Sequence, residues 1–378
     1  MPHILSKLIL SALSILTVLS GSFYAQSPSE KIDSRSYLEG AIISGIVKEP
    51  EYLWVSTYGQ GIYRLSLKEE KWINFSTKSR NLENDFFFNI AVSKDYLWAG
   101  TTEGLFIYNK KNKKWSKKTF AQGGEFGNWI RALKFDPDKN VLWIGRFRNV
   151  TSLDVKKQIY TDYNRIQGND QKSNNFKSIS FDGDSVIWFG TESGVHKLLK
   201  KKNPQNAYSW LYIDNKGKNF NNEGDAVSIT SILPDYKSVW FGTDEFITEE
   251  QPNFNVGGVF KFNRRSNWQK YHKGSGLTAN GIYCLERTGN YIWTGVYSFD
   301  KNQKEEFGKG LFIINRMNGK VHPVDLNQIN ISSSTILVLF FDGKNIWIGT
   351  DSGLVKVRIE NILAKWILKK EVPVIKKK

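Results

Sequence analysis

The chain of 378 residues carries 53 lysines and arginines against 37 aspartates and glutamates, a formal net charge of +16. One cysteine, Cys284, rules out an internal disulfide, and four dispersed histidines rule out a His/Cys zinc cluster. The cationic surplus suits anionic lipid headgroups, polyanionic glycan or another acidic ligand, or serves only to keep loop tips solvated.

At the N-terminus Lys7 precedes an apolar run from Leu8 to Leu19, followed by Ser20, Gly21 and Ser22. This order of charged, apolar and small residues reads as a secretory signal over residues 1–25, with cleavage after Ser22 or Ala25. The run is short for a membrane span of roughly 20 residues. No cysteine lies nearby to carry a lipid anchor. The expected location is therefore periplasmic or secreted, and nucleic acid is not an expected partner. Residues 26–38 read as a lead into the folded part.

From residue 39 to residue 370 one pattern repeats. Trp54, Trp98, Trp143, Trp188, Trp240, Trp293 and Trp347 each follow an apolar residue, and subtracting successive positions gives spacings of 44, 45, 45, 52, 53 and 54 residues. A period of this size marks an architecture built from one supersecondary unit per repeat. Each unit divides into four β-prone runs separated by turn residues, as in the second: Phe87 to Ser93, Tyr96 to Thr101, Gly104 to Asn109 and Trp115 to Phe120. The expected fold is all-β, a closed seven-bladed β-propeller with four antiparallel strands per blade, in which the seven tryptophans pack blade against blade. Trp366 marks a candidate outer strand for the last unit, with residues 30–38 as an alternative source, and residues 371–378 form a basic tail.

Antiparallel strands put every hairpin between third and fourth strands on one face. Those hairpins carry Lys110, Lys111, Lys113 and Lys114, then Lys156 and Lys157, Lys200 to Lys202, and Arg264 and Arg265, so that face is expected to have a cationic rim. The opposite face receives the insertions, Asp244 to Val256 in the fifth unit and Tyr297 to Gly308 in the sixth, together with the interblade segments Phe120 to Gly127 and Ile213 to Gly224. Long loops on a rigid scaffold are where ligand-binding residues concentrate.

The third unit breaks its pattern on that face. Where Thr101, Thr191, Thr243 and Thr350 stand in other units it has Arg146, followed by Arg148, with Asn149 replacing glycine. The meander brings these beside Trp129 and Arg131 at the opening of the same unit, with Tyr283 as a candidate wall. Guanidinium forks suit carboxylate, sulfate or phosphate, and an indole offers a stacking face. The five residues Trp129, Arg131, Arg146, Arg148 and Tyr283 are thus the candidate ligand site. Pairing of Arg146 with an acid such as Glu103 or Glu192 is the structural alternative.

The string Trp347-Ile348-Gly349-Thr350-Asp351-Ser352-Gly353-Leu354 resembles the two-component regulator propeller repeat, over residues 40 to 370. The resemblance implies an extracytoplasmic ligand-sensing propeller, of a kind that often recognises glycan breakdown products. It departs from the hybrid sensor architecture, because only Lys369 to Lys378 follow the seventh unit in this sequence and no kinase segment is expected within it. A second resemblance, to the streptogramin-lyase propeller, needs a central histidine. His196 falls on a third strand, His272 and His322 on outer strands and His3 in the signal.

Other chemical signals are weak. Asp300, Asn302, Glu305 and Glu306 make a loose oxygen-rich loop, and the pairs Glu249 with Glu250 and Glu305 with Glu306 are the only hints of paired carboxylates for glycoside chemistry. No cofactor, metal or catalytic residue is implied. The expected function is a non-catalytic ligand-binding or sensor-accessory propeller for an anionic glycan or other acidic small ligand. A platform for a membrane or cell-envelope protein is the alternative, with an enzyme third.

Overall fold

A computed structural model describes residues 32–79, 82–120, 124–246 and 256–362. The signal segment, Trp366, the basic tail and the Glu249–Glu250 pair lie outside the described residues. Seven four-stranded antiparallel sheets form the blades of a β-propeller. Blade 3, for example, runs Ile130–Asp136, Val141–Arg146, Val150–Asp154 and Ile159–Tyr163. The first strands of adjacent blades pack on one another around the axis. All seven motif tryptophans are buried.

The glycine two residues after the tryptophan, present in six blades and replaced by Ser56 in blade 1, has a steric cause. A Cβ on Gly242 would lie 2.6 Å from the Cγ2 of Ile282, which opens the first strand of the next blade. Gly100 meets Ile130, Gly190 meets Ile229 and Gly349 meets Ile43 in the same way, the last joining blade 7 to blade 1. The threonine after that glycine closes the following turn. Thr57, Thr101, Thr191, Thr243 and Thr350 donate from Oγ1 to the carbonyls of Gly61, Gly104, Gly194, Gly258 and Gly353. The accepting residue takes a positive φ, 130° at Gly104 and 73° at Asn149 of blade 3, which suits glycine and, less readily, asparagine.

Blade 7 completes itself with the other end of the chain. Its strands Ile336–Phe341, Asn345–Thr350 and Gly353–Arg358 are followed by a short helix, Ile359–Ile362, and its fourth strand is Ser34–Tyr37. The register Ser34↔Val357 to Tyr37↔Leu354 stitches the ring, and Tyr37 stacks on Trp347 at 5.7 Å. Ser34–Tyr37, within the segment read as a lead, are therefore part of the propeller. Tyr37 is the aromatic that covers the blade 7 tryptophan, a requirement invisible without the partner strand.

The hairpin face holds a second interblade device. An acid at the end of a first strand accepts from the indole of its own blade: Trp54 Nε1 donates to Glu49 at 2.7 Å, Trp188 to Asp182 at 3.0 Å and Trp347 to Asp342 at 2.8 Å. The next blade's hairpin then grips that acid, as in the ion pairs Lys110–Glu49 and Arg264–Asp182. Lys200–Asp136 at 2.9 Å and Arg316–Asp235 follow the same geometry. Lys110, Lys200 and Arg264 are thus interblade clasps rather than free tips of a rim. Lys111, Lys113, Lys114, Lys156, Lys201, Lys202 and Arg265 are exposed.

Two outcomes follow for stability. A chain beginning at Glu39 should melt several degrees below one beginning at Ile32, since it loses a strand and uncovers Trp347; equal melting temperatures would mean closure does not use Ser34–Tyr37. His196 is buried on the third strand of blade 4, where Nε2 donates to the Ser173 carbonyl at 2.8 Å. Burial pushes its pKa down from 6.5 to about 4. Between those values the unfolded chain binds more protons, so stability should fall as pH drops from 6.5 towards 4, by up to roughly 1.4 kcal/mol per pH unit. His196→Gln should flatten that part of a pH series of denaturant unfolding curves; an unchanged slope would assign the effect to other groups.

Candidate functional site

The first strands carry a bulge one residue after they open, at Ser44, Arg131, Lys177, Thr230, Tyr283 and Leu337. A bulged residue leaves the ladder and is re-aimed. These side chains, with Phe88 at the equivalent place in blade 2, are half-buried at the mouth of the axis on the insertion face. Together with their neighbours they give the mouth a row of rings over blades 1 to 3 and a network of carboxylates, Lys177 and tyrosine hydroxyls over blades 4 to 6.

On the aromatic side the rings form a continuous row. Phe86 meets Tyr58 at 5.0 Å, Tyr58 meets Phe88 at 5.4 Å, and Phe88 meets Trp129 at 5.9 Å. Trp129 then stacks on Phe147 at 5.2 Å and 7°, and Phe147 meets Phe126 at 5.1 Å. Within this row Phe86 is 51% exposed, Tyr58 44% and Phe126 42%. Sequence reasoning found Trp129 and missed the other five. The signal was present in the run Phe86-Phe87-Phe88 and in Phe147 between two arginines, but only the bulges show which of those rings reach the mouth.

The four arginine and tryptophan positions of blade 3 separate in depth. Arg131 lays its guanidinium over Trp129 at 5.3 Å and over Phe147 at 5.7 Å, while Nη1 pairs with Glu192 Oε1 and donates to Asn175 Oδ1, both at 2.7 Å. Arg148 is exposed beside the row. Arg146 is fully buried: Nε donates to Thr151 Oγ1 at 3.0 Å, Nη1 donates to the Gly127 carbonyl at 2.9 Å, and Nη2 pairs with Asp162 at 2.8 Å. Its guanidinium also lies over Phe120 at 4.5 Å. Burial lowers its pKa from the ordinary value and the Asp162 charge opposes that shift. Arg146 thus replaces the threonine clasp with a larger one and has no surface to offer a ligand. Its partner is Asp162 on the outer strand, not Glu103 or Glu192, because the side chain turns outward along its own sheet.

On the polar side Tyr283 stacks on Tyr297 at 4.4 Å and shares a hydrogen bond with the Glu306 carboxyl. Burial pushes the Tyr283 hydroxyl well above the usual phenol range, and pushes the Glu306 carboxyl up from the usual carboxylate range. Tyr297 donates to Asp244 Oδ1 at 2.9 Å, and the other carboxylate oxygen takes Lys177 and Ser228. The sixth-unit insertion is not a loop but an arm of two extended strands, Tyr291–Asp300 and Glu305–Asn315. Glu245, buried at the root of the fifth-unit insertion, accepts the Asn280, Gly281 and Phe299 amides and so fixes the base of that arm. Asp300 accepts the Asn302 and Gln303 amides at the tip, which is ordinary turn chemistry. Trp129 and Tyr283 therefore belong to opposite sides of one mouth. Cys284, next to Tyr283, is buried, and its thiol is pushed up to about 12, far from a nucleophile at neutral pH.

Solved structures share this fold. The extracellular domain of BT4673 from B. thetaiotaomicron, described as a hybrid two component system, is 19% identical with a TM-score of 0.64, covering 87% of this chain and 40% of that one. The corresponding domain of BT3049 from the same organism is 16% identical with a TM-score of 0.62, covering 86% and 42%. PorZ, a surface component of the type-IX secretion system of Porphyromonas gingivalis, is 15% identical with a TM-score of 0.58, covering 83% and 46%. This chain thus spans less than half the length of each. The resemblance to the two-component regulator propeller holds in the fold. No family model and no curated protein matches the sequence.

Replacing Arg146 by Ala should leave Asp162 without its cation and cost about 3–5 kcal/mol in an unfolding experiment, as for other broken buried pairs. A loss under 1 kcal/mol would contradict the structural role.

Proposed function

We propose that this chain is an exported, non-catalytic ligand-binding or sensor-accessory propeller that takes an acidic glycan at the mouth of its insertion face. The row of exposed and half-buried rings around Trp129 carries this reading, because flat apolar faces receive the C–H faces of sugar rings while a few placed polar groups set orientation. Arg148 supplies the cation for a ligand carboxylate or sulfate, since its side chain is exposed and Arg131 is already engaged with Glu192. Tyr283 and the blade 6 arm form the opposite wall. Export rests on the charged, apolar and small segments of residues 1–25. The shared fold of extracellular sensor domains agrees with both parts.

The test is calorimetric titration of the purified mature chain with matched acidic and neutral oligosaccharides. Trp129→Ala should weaken binding of both kinds by roughly tenfold or more, a loss of about 1.4 kcal/mol. Arg148→Ala should weaken only the acidic ligands, with melting temperature unchanged. Failure of every saccharide to bind, with a cell-envelope protein retained instead through the same aromatic row, would replace this reading by that of a docking platform.

A further inference from the structure

The seven blades can be compared at one position, the third-strand residue that pairs directly with the motif tryptophan. It is Arg64 opposite Trp54, Ile107 opposite Trp98, Lys197 opposite Trp188, Lys261 opposite Trp240, Ile313 opposite Trp293 and Lys356 opposite Trp347. Each is long enough to lie along the sheet. Arg64, Lys197, Lys261 and Lys356 hold their charged ends over the indoles at 5.0 to 5.5 Å. In blade 3 the residue opposite Trp143 is Ser152, the smallest of the series.

The volume that a long side chain would fill is open. A cleft of about 480 Å³ lies between blades 3 and 4, with Trp143, Ser152 and Tyr163 on one wall and Ile187 and Leu198 on the other. That volume falls within the roughly 300–1,000 Å³ of small-molecule sites. The cleft reaches the hairpin face, far along the strands from the aromatic row at the mouth. Its polar groups are directional: the Ser152 and Tyr163 hydroxyls meet at 3.1 Å deep inside, and the charges gather at the open end. There three amines, of Lys139, Lys157 and Lys200, stand against two carboxylates, of Asp136 and Asp154. Lys200 is nearly fully buried and held by Asp136 at 2.9 Å, with Asp138 at 3.9 Å, whereas Lys157 is 69% exposed and 3.4 Å from Asp154 at its nearest. The exposed Lys139 donates to the Lys200 carbonyl, so Lys139 and Lys157 are the amines that can turn to a ligand.

We propose that this cleft is a second ligand site, for a flat ring that carries an acid group. The ring occupies the space left by Ser152, beside the Tyr163 ring and the blade 4 aliphatic wall, and the acid group meets the amines at the rim. A cationic ligand, the kind that four other blades mimic internally, is opposed here by the amines of Lys139 and Lys157 at the entrance.

Anilinonaphthalene sulfonate serves as probe, since it has the ring and the acid and fluoresces when it leaves water. Because this probe also suits the rings and Arg148 of the mouth, it is titrated on a chain carrying Trp129→Ala and Arg148→Ala, which should still bind it saturably at one site. Ser152→Ile copies blades 2 and 6 and Ser152→Lys copies blades 4, 5 and 7, so each closes the cleft with a residue this fold already accepts; either folded variant, verified by its melting curve, should weaken binding at least tenfold. The two substitutions at the mouth separate this site from that one. Phenylnaphthylamine, the probe without its sulfonate, should bind several-fold more weakly, with the difference shrinking in high salt. Absence of saturable binding, or full affinity in a folded Ser152 variant, overturns the site. Equal affinity for the charged and uncharged probes overturns the acid group.

Discussion

The structure depends on one close contact made repeatedly: the first side chain of a blade rests on the glycine that follows the preceding blade's tryptophan. At Gly242 and Ile282 the approach leaves no room for even a methyl group. The tryptophan and its neighbours fill the space beside that contact, so each blade's hydrophobic face is completed by the next, and no blade has a core of its own. Six of the seven joints use this glycine, Ser56 standing in its place in blade 1, and closing the ring requires the last blade to meet the first, which Gly349 and Ile43 do. The strand Ser34–Tyr37 then ties both chain ends into one sheet.

Because that frame is rigid, departures from it are confined to the ends of the strands. The threonine clasp that tightens the turn after the second strand is absent in blades 3 and 6. In blade 3 Arg146 takes its place and reaches across the sheet to Asp162; in blade 6 Val296 takes its place and the strands continue into the arm. These two blades supply Trp129 and Phe147 on one side of the mouth and Tyr283 on the other. Blade 3 keeps the four-residue turn, with the Arg146 N–H donating to the Asn149 carbonyl at 3.1 Å as the Thr101 N–H does to Gly104, whereas in blade 6 the two strands run on past the ring.

The charges have two fates decided by geometry. Lys110, Lys200, Arg264 and Arg316 sit where a hairpin overhangs the previous blade, and there each finds a carboxylate at the end of a first strand. Partial burial makes such pairs more significant than exposed ones, and it also explains why acids recur a few residues before the motif tryptophans. Their neighbours two or three residues on point to water. The same alternation leaves Lys157 loosely held at the entrance of the blade 3 cleft.

By itself the sequence determined the number of blades, the burial of the seven tryptophans and the face on which insertions gather. Those properties are written locally, as period, alternation and turn residues, and every repeat restates them. It also marked blade 3 as exceptional through Arg146, Arg148 and Asn149. What it could not decide was the depth of each side chain, because Arg146 and Arg148 differ only in which way the strand end turns them, one into the blade against Asp162 and the other to solvent. The row from Phe86 to Phe126 draws rings from three blades, and the Ser152 cleft exists only between two, so neither is a property of any one repeat. Tertiary structure alone set these, together with the closing strand, since each depends on contacts between segments that adjacent blades, or opposite ends of the chain, bring together.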